Sequence, residues 1–186
     1  MNHFNLRDFT TIIVTAEGRP DEDKLFNQLK GLSARKLMKP LEHYGPKGAL
    51  LFPENEIYRA RLLLAALDLG VSSDNLTALD SAMRSENIEA MVMGGHIYRG
   101  LDHAIAGIES DERWVLELIR LRSHETGEIE NSVYWIKNGM RPMDRVDVLN
   151  PPEDFYGYVT GPVEAVLSIP FSTIAKPIWQ QFRKAG

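Results

Sequence analysis

Histidines and carboxylates come first in a search for chemistry, because an imidazole beside a carboxylate can bind a metal or move a proton near neutral pH. The chain has five His and no Cys. His96 and His103 lie seven residues apart, with Asp102 beside the second. Read on one helix, that spacing gives both imidazoles a shared face. Helical metal ligands more often stand at i, i+3 or i, i+4, and there is no His-Glu-x-x-His run and no second cluster. Gly94-Gly95-His96 carries two glycines of the kind that form anion-binding turns at helix N-termini. No serine sits in a Gly-x-Ser-x-Gly elbow. Without Cys there is no thiolate nucleophile, no disulfide framework and no Cys-ligated zinc or iron–sulfur site. These residues read as structural; no catalytic set, metal or cofactor is expected, and the chain reads as a non-enzyme.

The basic residues point elsewhere. Over 186 residues the net charge is −5, which at face value disfavours a polyanionic partner. The charge is unevenly distributed. Residues 1–85 hold 11 basic and 11 acidic side chains, whereas residues 86–186 hold 10 and 15. Within the first part, Lys24 to Arg61 holds 8 basic and 3 acidic residues, a local excess of five positive charges. A basic window on a helical motif is the footprint of a surface that contacts a phosphate backbone.

The elements that position these charges follow from periodicity and turn chemistry. Phe9 to Ala16 is rich in β-branched residues and reads as a short strand or ordered arm, followed by a turn at Glu17-Gly18-Arg19-Pro20. Asp21, Glu22 and Asp23 suit a helix N-terminus, and Leu25, Phe26, Leu29 and Leu32 follow at helical spacing, with Gly31 as a stop. Ser33 then caps a second short helix from Ala34 to about Lys39, which Pro40 disrupts. Gly45-Pro46-Lys47-Gly48 marks a turn before a short strand, Ala49 to Phe52. Glu54 to Leu69 is a largely apolar helix closed by Gly70, and Ser72-Ser73-Asp74 caps the next. Ser85 to Ser110 reads as helix broken at Gly94-Gly95, with Ile97, Leu101, Ile105 and Ile108 in one stripe. Trp114 to Arg122 and Ile129 to Lys137 form an antiparallel hairpin, 138–162 is mostly loop, Val163 to Ile169 is a strand, and Thr173 to Arg183 is a terminal helix despite Pro177.

Within this order, Leu32-Ser33-Ala34-Arg35-Lys36-Leu37, then Lys47 to Phe52, then Glu56 to Leu62, then Ala66-Leu67-Asp68-Leu69-Gly70-Val71 resemble the winged helix–turn–helix of the MerR family of transcription regulators. The resemblance spans roughly Leu25 to Met83. It implies a DNA-binding region in which Ser33, Arg35, Lys36 and Lys39 approach the major groove while Tyr44, Lys47, Arg59 and Arg61 reach phosphate. It further implies a homodimer reading paired half-sites in double-stranded DNA.

The expected fold class is α+β. A helical winged helix–turn–helix domain over 1–85 precedes an α+β domain over 86–186 that dimerises or senses a small-molecule or protein effector. The alternative is a protein-interaction module on the same scaffold. The longest apolar run, Leu62 to Leu67, is far short of a membrane span, and the N-terminus lacks the basic region and long apolar centre of a secretory signal, so a cytoplasmic location without membrane attachment is expected.

Overall fold

The computed structural model describes residues 3–42, 44–45, 48–85, 88–92, 95–123, 125–138 and 163–184, with backbone alone over 88–99. The protein is α+β, and its chain divides into two compact units. One comprises Met1–Val71 with Thr173–Gly186, the other Ser72–Ser172. The division expected near residue 85 therefore falls inside the second unit.

The first unit begins with strand β1 (His3–Phe4) and helix α1 (Leu6–Glu17). The strand or arm expected over Phe9 to Ala16 is thus a helix. Its start is a capping box: the Asn5 side chain accepts from the Arg7 and Asp8 backbone N–H groups at 2.8 and 3.2 Å, and Asp8 accepts from the Asn5 N–H at 2.8 Å. Three first-turn donors are thereby satisfied. Phe9 and Ile13, four residues apart, are fully buried, so tertiary packing overrides the β-preference of the Thr-Ile-Ile-Val run.

Gly18, at φ 63°, ends α1, and helix α2 (Glu22–Ala34) follows after a short turn. Its apolar stripe is Leu25, Leu29 and Leu32. The helix passes through Gly31 and stops three residues later. The Lys36 N–H donates to the Ser33 carbonyl at 2.9 Å and the Leu37 N–H to the Leu32 carbonyl at 3.0 Å. These two bonds form a Schellman turn, with Lys36 in the left-handed position at φ 62° and Leu37 buried beyond it. The short helix expected over Ala34 to Lys39 does not exist, because its residues make that turn. Ser33 lies inside α2 and caps nothing.

A narrow hairpin then carries the chain back. Leu41 donates to Leu51 and Gly45 to Ala49, both at 2.8 Å, and Tyr44 bridges Leu50. Strand β2 (Phe52–Pro53) pairs antiparallel with β1. Helix α3 (Asn55–Asp68) has apolar side chains around most of its circumference and buries Ile57, Tyr58, Ala60, Leu62, Leu63, Leu64 and Ala66. It ends in the same Schellman pattern as α2, with Gly70 at φ 78° in the left-handed position. Helix α6 (Phe171–Lys184) contributes Ala175, Ile178 and Phe182 to this unit, and Phe182 meets Phe4 and Tyr58 at ring distances of 5.4 and 6.3 Å. Burial holds the Tyr58 hydroxyl well above its ordinary pKa, with Glu54 adding to the effect.

The second unit opens with α4 (Ser73–Arg84), capped by Ser72, whose Oγ accepts from the Asn75 N–H at 3.5 Å. This helix packs on the sheet of its own unit through Leu76, Leu79 and Met83, which is why it parts from the winged-helix region expected to contain it. Strands β3 (Ile88–Val92) and β4 (Gly95–Arg99), helix α5 (Leu101–Glu109), and strands β5 (Trp114–Arg122), β6 (Ile129–Lys137) and β7 (Val163–Ile169) complete it. The five strands form an antiparallel sheet in the order β3-β4-β6-β5-β7. The two helical pieces expected over 85–110, broken at Gly94-Gly95, are therefore a β-hairpin followed by α5. Ile97 lies in β4, off the helical stripe; Leu101 and Ile108 remain as its buried positions. Trp114 and Trp135 meet edge to face at 6.2 Å, and Phe171 packs edge to face on Trp135 at 5.4 Å. The loop expected over 138–162, including Phe155, Tyr156 and Tyr158, lies outside the described residues apart from Asn138.

Candidate nucleic-acid interface

Two populations of cations occupy the first unit. Arg19, Arg59 and Arg61 are consumed by carboxylates. Arg19 makes a two-point contact with Asp21 at 2.9 and 2.8 Å and lies 3.5 Å from Glu17. Arg61 donates to the same Glu17, joining α3 to the end of α1. The Arg19 hydrogen bonds hold the Asp21 carboxyl down at about 2 and raise the guanidinium's own pKa. Arg59 is only 6% exposed and pairs with Glu56, itself 3% exposed, one turn earlier on α3. The second Glu56 oxygen accepts from the Lys39 backbone N–H at 3.0 Å, so a buried carboxylate anchors the segment after α2. The sequence expectation that Arg59 reaches phosphate is corrected: it faces the core, on the side of α3 opposite the partly exposed Arg61, Ala65 and Asp68. Arg61, with its side chain 13% exposed, is engaged in the α1–α3 tie.

The other population is displayed. Lys30, Arg35, Lys36 and Lys39 are exposed, and none of them forms an ion pair among the described residues. Arg35, Lys36 and Lys39 stand on the turn that closes α2, so three of the expected groove-facing residues share one short surface segment. Ser33 is half-buried beside them. Tyr44 is 67% exposed on the hairpin, while Lys47 lies outside the described residues.

Lys24 and Lys30 of this surface escaped the sequence reading. The signal was present: with Leu25, Leu29 and Leu32 facing inward, the complementary positions on α2 had to face solvent. An open groove of about 670 Å³ runs along this helix, lined by Lys24, Asn27, Gln28, Gly31, Leu32, Arg35 and Leu67. Gln28 donates to the Asp68 carboxylate at 3.2 Å, and its own carbonyl oxygen is buried without a hydrogen-bond partner. Asp21, Glu22 and Asp23 place negative charge at the N-terminus of α2, with Lys24 as the cation beside them.

His96 and His103 do not share a helix: the first is in β4 and the second in α5. Among the described residues, no cluster of three or more His, Asp or Glu is placed to hold a metal ion. Glu112 gathers the Trp114 indole N–H at 2.9 Å and the Lys137 ammonium at 2.7 Å. Burial pushes its carboxyl up, but these two donors outweigh burial and leave it below the usual range. No helix among the described residues is long and apolar enough to cross a membrane. No family model matches the sequence, and no curated protein matches it either.

Proposed function

We propose that the first unit is a winged helix–turn–helix that binds double-stranded DNA, with α1 and α2 as the helical pair and the 41–51 hairpin as the wing. One observation carries the reading: Arg35, Lys36 and Lys39 are exposed and unneutralised on a turn whose left-handed position holds a lysine. A non-glycine residue there costs about 1–2 kcal/mol, and glycine fills the corresponding place after α3. Keeping a cation where glycine is the better fold residue is accounted for by a polyanion that contacts it. The MerR-like order of elements and the chain's homodimeric use on paired half-sites belong to the same reading, with the second unit as the dimerising or effector-sensing part and the cytoplasm as its place of action.

The test is retardation of labelled duplex by the full chain across a salt series. Neutralising three to four phosphates gives a log–log slope of about −3. Lys36→Gly supplies the control, because it removes one charge while relaxing the backbone. It should shallow the slope by about one unit and raise stability. A chain that retards no duplex at about 50 mM salt removes the proposal, and a monomer by light scattering at micromolar concentration removes the paired half-sites.

A further inference from the structure

The groove along α2 has a chemistry beyond positive charge. Lys24 and Arg35 stand at its two ends, eleven residues apart, or about 16 Å along the helix. Between them the exposed face is shallow. Gly31 has no side chain, a Cβ built there would meet nothing within 4 Å, and Ala34 is an exposed methyl. The one hydrogen-bonding side chain on that face left uncommitted is Asn27. It is exposed and bonds no described residue, whereas the neighbouring Gln28 is held by Asp68.

A face with cations at its ends and short side chains between them matches the B-DNA major groove, which is about 12 Å wide and flanked by phosphate strands. The carboxamide of Asn27 presents one acceptor and one donor side by side. Adenine alone offers the complementary pair on its major-groove edge, an N6 amino donor beside the N7 acceptor. Guanine shows two acceptors, cytosine one donor, and thymine an acceptor beside a methyl group. From this geometry we infer that α2 enters the major groove and that Asn27 reads an adenine, its Oδ1 accepting from N6 and its Nδ2 donating to N7. Lys24 and Arg35 hold the flanking strands. The inference rests on the DNA-binding reading above and adds to it a base preference and the residue that sets it.

The experiment is selection by the full chain from a pool of random-sequence duplexes at about 0.15 M salt, with wild type, Asn27→Ala and Asn27→Gln compared. Position 27 is exposed in mid-helix, so alanine favours folding there, and circular dichroism verifies it. Wild type should enrich one adenine at a fixed position. Asn27→Ala should lower the preference for that adenine about 5- to 150-fold, and Asn27→Gln, which carries the same carboxamide, should keep part of it. If Asn27→Ala enriches the same adenine as wild type, the inference is wrong. Salt-sensitive binding without base preference also overturns it and leaves the backbone-contact reading standing. Absence of binding to every duplex at low salt overturns both.

Discussion

Removing the Glu56 carboxylate should destabilise the first unit more than any other single polar change in it. Glu56 is 3% exposed and Arg59 6%, so Glu56→Ala takes from a buried guanidinium the carboxylate one turn away on α3. It also takes the acceptor from the Lys39 backbone N–H. Breaking one partner of a buried ion pair costs about 3–5 kcal/mol, and an abandoned buried donor about 1–3 kcal/mol, with the two overlapping because they share one side chain. The expected loss is about 4 kcal/mol, a large fraction of a typical domain stability of about 5–15 kcal/mol. Hydrogen exchange of the α3 amides reports the first unit alone, and urea denaturation of the whole chain gives the global value. Glu56→Gln, which keeps a carbonyl acceptor, should lose less. The apolar double variant Glu56→Met with Arg59→Met should recover much of the deficit, because the desolvation penalty of both charges disappears together. A loss below about 1 kcal/mol in Glu56→Ala, or simple additivity of the two single alanine variants, would refute the argument that this pair anchors the turn presenting Lys36 and Lys39.

Other expectations concern single positions. Gly31→Ala should raise stability by about 0.8–1 kcal/mol in thermal or urea unfolding, since it replaces a mid-helix glycine where the added methyl meets open space. Gly107→Ala should do the opposite: its Cβ would overlap Trp114 Nε1 and Glu112 Oε2, atoms that hydrogen-bond to each other, at a cost of about 1–3 kcal/mol together with a changed near-ultraviolet tryptophan signal. Because Arg19 holds Asp21 at about 2, below its unfolded value of about 3.9, the pair contributes stability above that unfolded value and loses it as pH falls through 2. The stability difference between wild type and Asp21→Asn, measured by urea midpoints, should therefore be full near pH 6 and close towards pH 2.

The sequence was most legible where local pattern and tertiary demand agree. The β5–β6 hairpin, β7 and α3 follow from β-branched runs, turn residues and an apolar helix bounded by Gly70. Where the two disagree, reading by residue type fails. Thr-Ile-Ile-Val has the composition of a strand, yet four-residue spacing of Phe9 and Ile13 and the Asn5–Asp8 box make α1 a helix. Gly31 has the look of a C-cap, yet the left-handed residue that ends α2 is Lys36, a type for which no composition rule announces positive φ. The consequence reached the candidate site. Arg35, Lys36 and Lys39 belong to a turn, and the helix that carries the groove lies before them. Arg59 and Arg61 show the remaining limit: a charge count cannot tell a displayed cation from one already paired by a residue 3 or 44 positions away.

The first unit is discontinuous in the chain, and this bears on the order in which it can form. Its aromatic cluster needs Phe182 against Phe4 and Tyr58, but Thr173 follows Val71 by about a hundred residues that build a different core. At about 5–20 residues per second, synthesis leaves the first seventy residues waiting for roughly 5–20 s without their closing helix. The intervening sheet unit has all its described strands before α6 emerges and takes only Phe171 and Ser172 from the start of that helix, so it can complete its core while the basic unit is still open. Contacts of such long sequence separation slow the final step further. The DNA-facing surface proposed for α2 would accordingly be the last part of the chain to mature, although it is among the first to be made.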